Sequence, residues 1–212
     1  MPELGAEVGA RMMERLDYVR LAPRRVLDAG SGPARRALGK RYRGAQVVAL
    51  DVSLAALRAG RPRFRLPGAN PPALVCGDLA RLPLAPASFD LVWSNLALHC
   101  VDEPGAAFRE FQRVLAPEGL LMFSTLGLDT SKASAAAASG GRSPRLWDMH
   151  DLGDMLVALG FSDPVMDMEI VSLGSPPAAA EIVYGHAWKG APRRTADGRA
   201  VVHFEASRRS AR

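Results

Sequence analysis

Apolar residues fall along this chain in two rhythms. Short runs at Arg25–Asp28, Val47–Leu50, Ala73–Cys76, Phe89–Ser94 and Leu120–Thr125 have the length and continuity of buried strands. Between them the spacing turns helical. Residues 7–19 place Val8, Met12, Leu16 and Val19 on one face, and residues 103–116 turn Phe108, Phe111, Val114 and Leu115 inward. A basic segment after the first strand keeps Ala34, Ala37, Leu38 and Tyr42 on its apolar side. A short helix is expected from Ser53, and another from Asp148 to Leu159 with Leu152, Met155, Leu156 and Leu159 inward. Val165–Val171 and Glu181–Trp188 read as two last strands around a Gly-Ser-Pro-Pro turn, hence an antiparallel hairpin. Alternating strands and helices predict an α/β fold: a doubly wound, seven-stranded, mostly parallel sheet closed by that hairpin.

The rhythm fails in three places. Pro62 to Pro72 is a proline-rich loop. Ser131 to Gly141 is alanine, serine and glycine with one lysine, read as a mobile low-complexity crossing within residues 127–145. From residue 190 the chain is polar and basic. That last change alters the meaning of the formal charge of +5. Residues 190–212 hold six arginines against Asp197 and Glu205, whereas residues 1–189 hold 21 basic and 20 acidic side chains. The basicity belongs to a tail expected to be disordered, and nucleic acid is not the expected partner. Residues 1–189 then form one domain, with 48% of all 212 residues apolar.

No apolar run reaches membrane-spanning length, and Met1-Pro2-Glu3-Leu4-Gly5 has no basic-then-apolar leader. The expectation is a cytoplasmic protein without a membrane partner. Cys76 and Cys100 lack metal-ligand spacing and are expected to be buried reduced thiols; His99, His150, His186 and His203 are equally scattered, so no metal site is expected.

The candidate chemistry lies where the first two strands end. Val26-Leu27-Asp28-Ala29-Gly30-Ser31-Gly32-Pro33 runs a strand into a turn with alternate glycines, and Asp51 closes the second strand 19 residues after Gly32. Glycine lets backbone approach a ligand, and a strand-end carboxylate can accept both hydroxyls of a ribose. A dinucleotide loop needs a third glycine at the position held by Arg35. The Asp-x-Gly-x-Gly spacing suits a nucleoside without phosphate, such as S-adenosylmethionine. An ordinary strand–turn–helix remains the competing reading.

With Gly77-Asp78-Leu79-Ala80-Arg81-Leu82-Pro83-Leu84 and Ser88-Phe89-Asp90-Leu91-Val92, residues 22–127 resemble class I S-adenosylmethionine-dependent methyltransferases, a Rossmann-like family. Glu14–Val19, Ser94–Leu98, Phe123–Thr130, Asp148–Asp154, Pro164–Glu169 and Val183–Lys189 extend the likeness, over about residues 7–190, to the malonyl-[acyl-carrier protein] O-methyltransferases of biotin synthesis. The resemblance implies that Asp28, Gly30, Ser31 and Gly32 surround the methionine and ribose. It implies that Asp51 takes the ribose hydroxyls and Val52 packs on adenine. Asp78 would receive the adenine amino group, with the Leu79 backbone nearby and Asn95 at the strand-four edge. It differs at Ala34, where the family usually has glycine, and in the short Ser172–Ala180 join, where members carry a helical insert.

The implied acceptor is a carboxylate, on an acyl-carrier protein or a small molecule. A carboxylate is ionised at neutral pH and the methyl donor is activated by its own charge, so no general base, metal or other catalytic side chain is required. A methyltransferase for another small acceptor and a catalytically silent binding or assembly protein remain open. So do several residue roles. Asp28 could brace the loop and Asp78 could cap a turn. Trp93 reads as core, His99 as a solvated loop residue, and Trp147 as acceptor pocket or packing. Arg35, Arg36, Lys40, Arg41 and Arg43 form either a solvated helix face or a dock for an acidic carrier.

Overall fold

A computed structural model describes residues 2–31, 35–59, 72–138, 144–172 and 179–190. Seven strands form one sheet: β1 (Arg25–Ala29), β2 (Gln46–Asp51), β3 (Ala73–Cys76), β4 (Phe89–Ser94), β5 (Leu115–Leu126), β6 (Ser162–Ser172) and β7 (Ala179–Trp188). Their order is β3-β2-β1-β4-β5-β7-β6. The first five pair in parallel, and β7 runs antiparallel to both β5 and β6. The expected architecture and closing hairpin are both present. The Gly-Ser-Pro-Pro turn, the proline-rich loop up to residue 71, Gly32, Ala34, residues 139–143 and the tail from 191 lie outside the described residues.

Among the described residues six α-helices cover the two faces: α1 (Pro2–Arg15), α2 (Arg35–Arg41), α3 (Leu54–Ala59), α4 (Pro104–Val114), α5 (Lys132–Ala138) and α6 (Met149–Ala158). On one face α4 and α6 press Phe108, Phe111, Leu152 and Leu156 against Val92, Leu121 and Phe123. On the other, Leu4, Val8, Met12 and Leu16 from α1 and its 3₁₀ extension pack with Leu38 of α2 against Trp93, Met122 and Tyr184. Trp93 is core, fully buried. Helix α1 is also tied to the hairpin by charge. Arg11 meets Glu169 at 2.8 Å, Arg15 meets Asp167 at 2.6 Å, and the Arg15 guanidinium lies 3.9 Å from the Tyr184 ring centre. The Tyr184 hydroxyl donates to Glu169. Burial, then that bond, holds its pKa well above the ordinary tyrosine value.

Five expectations need correction. The first helix begins at Pro2, because Leu4 continues the four-residue spacing of Val8 and Met12. Ala37 is exposed, since among the described side chains of the short α2 it is Leu38 that is buried. Part of the low-complexity crossing is helix α5. Alanine is the strongest helix former, and the Ser131 hydroxyl caps the start by accepting from the Ser134 amide at 3.2 Å. Cys76 and Cys100 are exposed, one as the last residue of the sheet-edge strand β3 and the other ending a surface 3₁₀ turn. His99, on that same turn, is 1% exposed rather than solvated, because Leu98 beside it is drawn into the core.

Candidate functional site

Strand order reverses between β1 and β4, and in open α/β sheets the ligand crevice lies outside the carboxyl ends at that point. Register brings the expected residues to this edge. Ala29 pairs with Leu50, Asp51 with Cys76, and Asp28 with Trp93. Asp28, Gly30, Ser31, Asp51, Val52, Asp78, Leu79 and Asn95 therefore gather along one rim.

The turn after β1 is held from below. The Gly30 and Ser31 amides both donate to the Leu50 carbonyl at 2.8 Å, so both are spent on the fold. Asp28 is 2% exposed and accepts from the Ser31 hydroxyl at 2.8 Å, as a brace would. Gly30 has φ +80°, and a Cβ there would stand 2.2 Å from the Cβ of Ala97. This glycine answers to the turn after β4.

The next strand ends present more open groups. Asp51 is half-buried, and its Oδ1 accepts from the Ser53 amide at 2.7 Å. Val52 beside it is 62% exposed, unusual for a valine at the end of a buried strand. Asp78 is exposed and its Oδ1 accepts from the Ala80 amide at 2.9 Å, while Leu79 is buried in the core. Cys76, whose thiol donates to the Val52 carbonyl at 3.4 Å, joins these two strand ends. An open apolar side chain between two carboxylates fits a flat heteroaromatic ring with amino donors and a vicinal diol. These residues fit the nucleoside of S-adenosylmethionine.

Asn95 does something the sequence did not suggest. Its Nδ2 donates to the Gly5 carbonyl at 2.7 Å, and its Oδ1 accepts from the Ser124 hydroxyl at 2.9 Å. Both ends of the amide thus join α1 to β5.

The loop bearing Asp78 has a buttress that sequence reasoning missed. Arg113 of α4 donates to the Leu82 and Leu84 carbonyls at 3.0 and 2.8 Å, and Glu110 accepts from the Leu82 amide at 2.7 Å. Glu110 and Arg113 meet at 2.8 Å, one helical turn apart. That i, i+3 charge pair was the available signal. The hydrogen bond from Arg113 holds the Glu110 carboxyl below its ordinary value of 4.5. A depressed carboxylate stabilises fully above its unfolded value and loses that contribution as pH falls through the folded one. Glu110→Gln is therefore expected to cost about 1 kcal/mol near neutrality, the scale of one hydrogen bond. The gap in melting temperature between parent and variant should close below about 4.5. A gap that persists in acid contradicts the pairing.

Among the described residues, no group of His, Cys, Asp or Glu could hold a metal ion, and no helix is long and apolar enough to cross a membrane.

Comparison with known proteins identifies the family. A methyltransferase domain family model matches residues 27–123. The malonyl-[acyl-carrier protein] O-methyltransferase of Gallionella capsiferriformans is 40% identical over 256 aligned positions, covering 94% of this chain and 88% of the relative. That of Laribacter hongkongensis is 41% identical, covering 95% and 89%. Both alignments are longer than this chain, so the relatives hold residues with no counterpart here. In fold, the chain superposes on a Burkholderia thailandensis 1,6-didemethyltoxoflavin-N1-methyltransferase with TM-score 0.63 and 23% identity, over 88% of this chain and 78% of that one. With the identity spanning nearly the whole chain, this protein belongs to the malonyl-[acyl-carrier protein] O-methyltransferase family of S-adenosylmethionine-dependent methyltransferases.

Proposed function

We propose that the chain methylates the free carboxyl of a malonyl thioester carried on an acyl-carrier protein, a step of biotin synthesis. The observation that carries this reading is identity near 40% across almost the full length of relatives so named. S-adenosylmethionine, when bound, supplies a methyl carbon made electrophilic by its sulfonium. The acceptor carboxylate bonds to that carbon as the carbon–sulfur bond breaks, and its pair stays with sulfur. Charge is annihilated, and no proton moves.

The chain's task is then positioning and exclusion of water. In this reading Asp51 receives the ribose hydroxyls, and the exposed Val52 packs on the adenine face. Asp78 receives the adenine amino group, with the Leu79 backbone beside it. Gly30 and Ser31 shape the loop against which the methionine end lies, braced by Asp28, and Gly32, outside the described residues, belongs to the same loop. Asn95 acts here by holding α1 over the rim. A cytoplasmic location and an acidic carrier as partner belong to this proposal. Lys40 and Arg43 are exposed for such docking, whereas Arg41 is engaged with Asp17 at 2.7 Å.

Growth tests the reading. In a bacterium that requires biotin because it lacks its own malonyl-carrier methyltransferase, this chain should restore growth without biotin. Failure of a well-expressed, S-adenosylmethionine-binding chain to do so would move the acceptor elsewhere.

A further inference from the structure

Ser94 ends β4, Thr125 lies one residue before the end of β5, and both are fully buried. Neither hydroxyl has a hydrogen-bond partner among the described residues. Buried polar groups are nearly always satisfied, so two orphans at one sheet edge need an explanation.

Alternation puts them together. Val92, Leu121 and Phe123 face α4 and α6, whereas Leu91, Trp93, Leu120 and Met122 face α1. Ser94 pairs with Phe123, so Ser94 and Thr125 project from the α4–α6 face, two residues apart in register. The neighbouring Ser124 hydroxyl, on the opposite face, is satisfied. Ser124 donates to Asn95 and accepts from the Leu96 amide at 3.0 Å.

A third orphan lies above. Residues 145–147 form a strap across the same strand ends. The Arg145 amide donates to the His99 carbonyl at 2.9 Å, just beyond β4, and the Trp147 amide donates to the Leu126 carbonyl at 3.3 Å, at the end of β5. The Trp147 ring packs on the core that contains Leu98 and Phe123, and its Nε1 is buried without a partner among the described residues. One face, at the carboxyl ends of the two strands beyond the switch point, thus holds two hydroxyls and an indole N–H with nothing described to bond.

We propose that Ser94, Thr125 and Trp147 form the acceptor subsite, receiving the oxygens of a carboxylate-bearing acyl head when the strap lifts. This rests on the methyltransferase reading above. The chemistry of the set supports it. All three groups can donate, and none is charged. Neutral donors orient a carboxylate while leaving it the charge with which it attacks, whereas a bidentate guanidinium would hold that charge in an ion pair. Arg145, the nearest cation in sequence on the strap, turns to Asp102 at 3.8 Å.

The test uses Ser94→Ala, Thr125→Val and Trp147→Phe in the full chain, with malonyl-carrier protein and malonyl-pantetheine as probes. Each variant should lower kcat/KM about tenfold or more for both probes alike, the scale of a lost hydrogen bond to a charged group. S-adenosylhomocysteine affinity should be unchanged, and the melting temperatures of Ser94→Ala and Thr125→Val should equal or exceed the parent's, because an unsatisfied hydroxyl has been removed. Thr125→Ser keeps the hydroxyl and should recover most of the rate, which a packing role would not predict. Parent-like kinetics in all three variants overturn the proposal, and so does a loss confined to the carrier-bound probe. If the parent takes neither malonyl probe, the substrate reading has failed. The subsite is then judged by titrating the S-adenosylhomocysteine-loaded parent with acetate, succinate and benzoate. Variant loss of whichever carboxylate binds supports it, and binding of none overturns it.

Discussion

Gly30→Ala is expected to lower the unfolding free energy by about 2–5 kcal/mol and to take cofactor affinity down with it. Two costs add. The left-handed φ of +80° strains any residue with a Cβ, by roughly 1–2 kcal/mol. The new Cβ also meets that of Ala97 at 2.2 Å, where backbone must shift, and overpacking of this kind costs about 1–3 kcal/mol. Denaturant unfolding reads the total. Pairing the change with Ala97→Gly separates the parts, because the second substitution removes the clash and leaves the dihedral strain. A Gly30→Ala protein as stable as the parent would mean that the β1 turn and the turn after β4 do not pack as described.

Asp51→Ala is expected to weaken S-adenosylmethionine binding about 10- to 100-fold while changing stability little. The carboxylate sits half-buried at the end of β2, and its bond to the Ser53 amide fixes its direction. Charge-assisted hydrogen bonds to a diol are worth about 1–3 kcal/mol, which sets the size of the loss. Asp51→Asn should fall between, retaining one acceptor and losing the charge. Titration calorimetry checks both, and equal affinity of Asp51→Ala and parent removes Asp51 from the ribose.

Much of this molecule is written locally. Strand β3 is read residue for residue because its apolar run is short and bounded. Helix α4 shows its buried face through Phe108, Phe111 and Val114, spaced three apart. The rim was legible for the same reason: Gly30 and Asp51 end apolar runs, and parallel register aligns those ends. What was not legible depends on contacts far apart in the chain. Nothing near Asn95 says that its amide reaches Gly5, 90 residues away. Arg113 resembles a solvated helix residue until its carbonyl partners some 30 residues earlier are known. Helix α5 is hidden by composition, since a run of alanine and serine reads as low complexity although alanine is the strongest helix former and Ser131 caps its start. His99 and the two cysteines were misjudged because burial is set by neighbouring segments rather than by residue type.

The orphan hydroxyls belong to a third class. Ser94 and Thr125 sit at the carboxyl ends of largely apolar strands, and only the completed sheet shows that they share a face and an edge. A local departure from a satisfied core is where function is expected to reside.

The proposed reaction transfers a methyl group to a carrier-bound carboxylate. The most direct measurement is intact-mass analysis of malonyl-carrier protein incubated with this chain and S-adenosylmethionine. The carrier should become heavier by one methyl group, with one S-adenosylhomocysteine formed for each ester. An unchanged carrier mass, with the chain folded and S-adenosylmethionine shown to be bound, would contradict it.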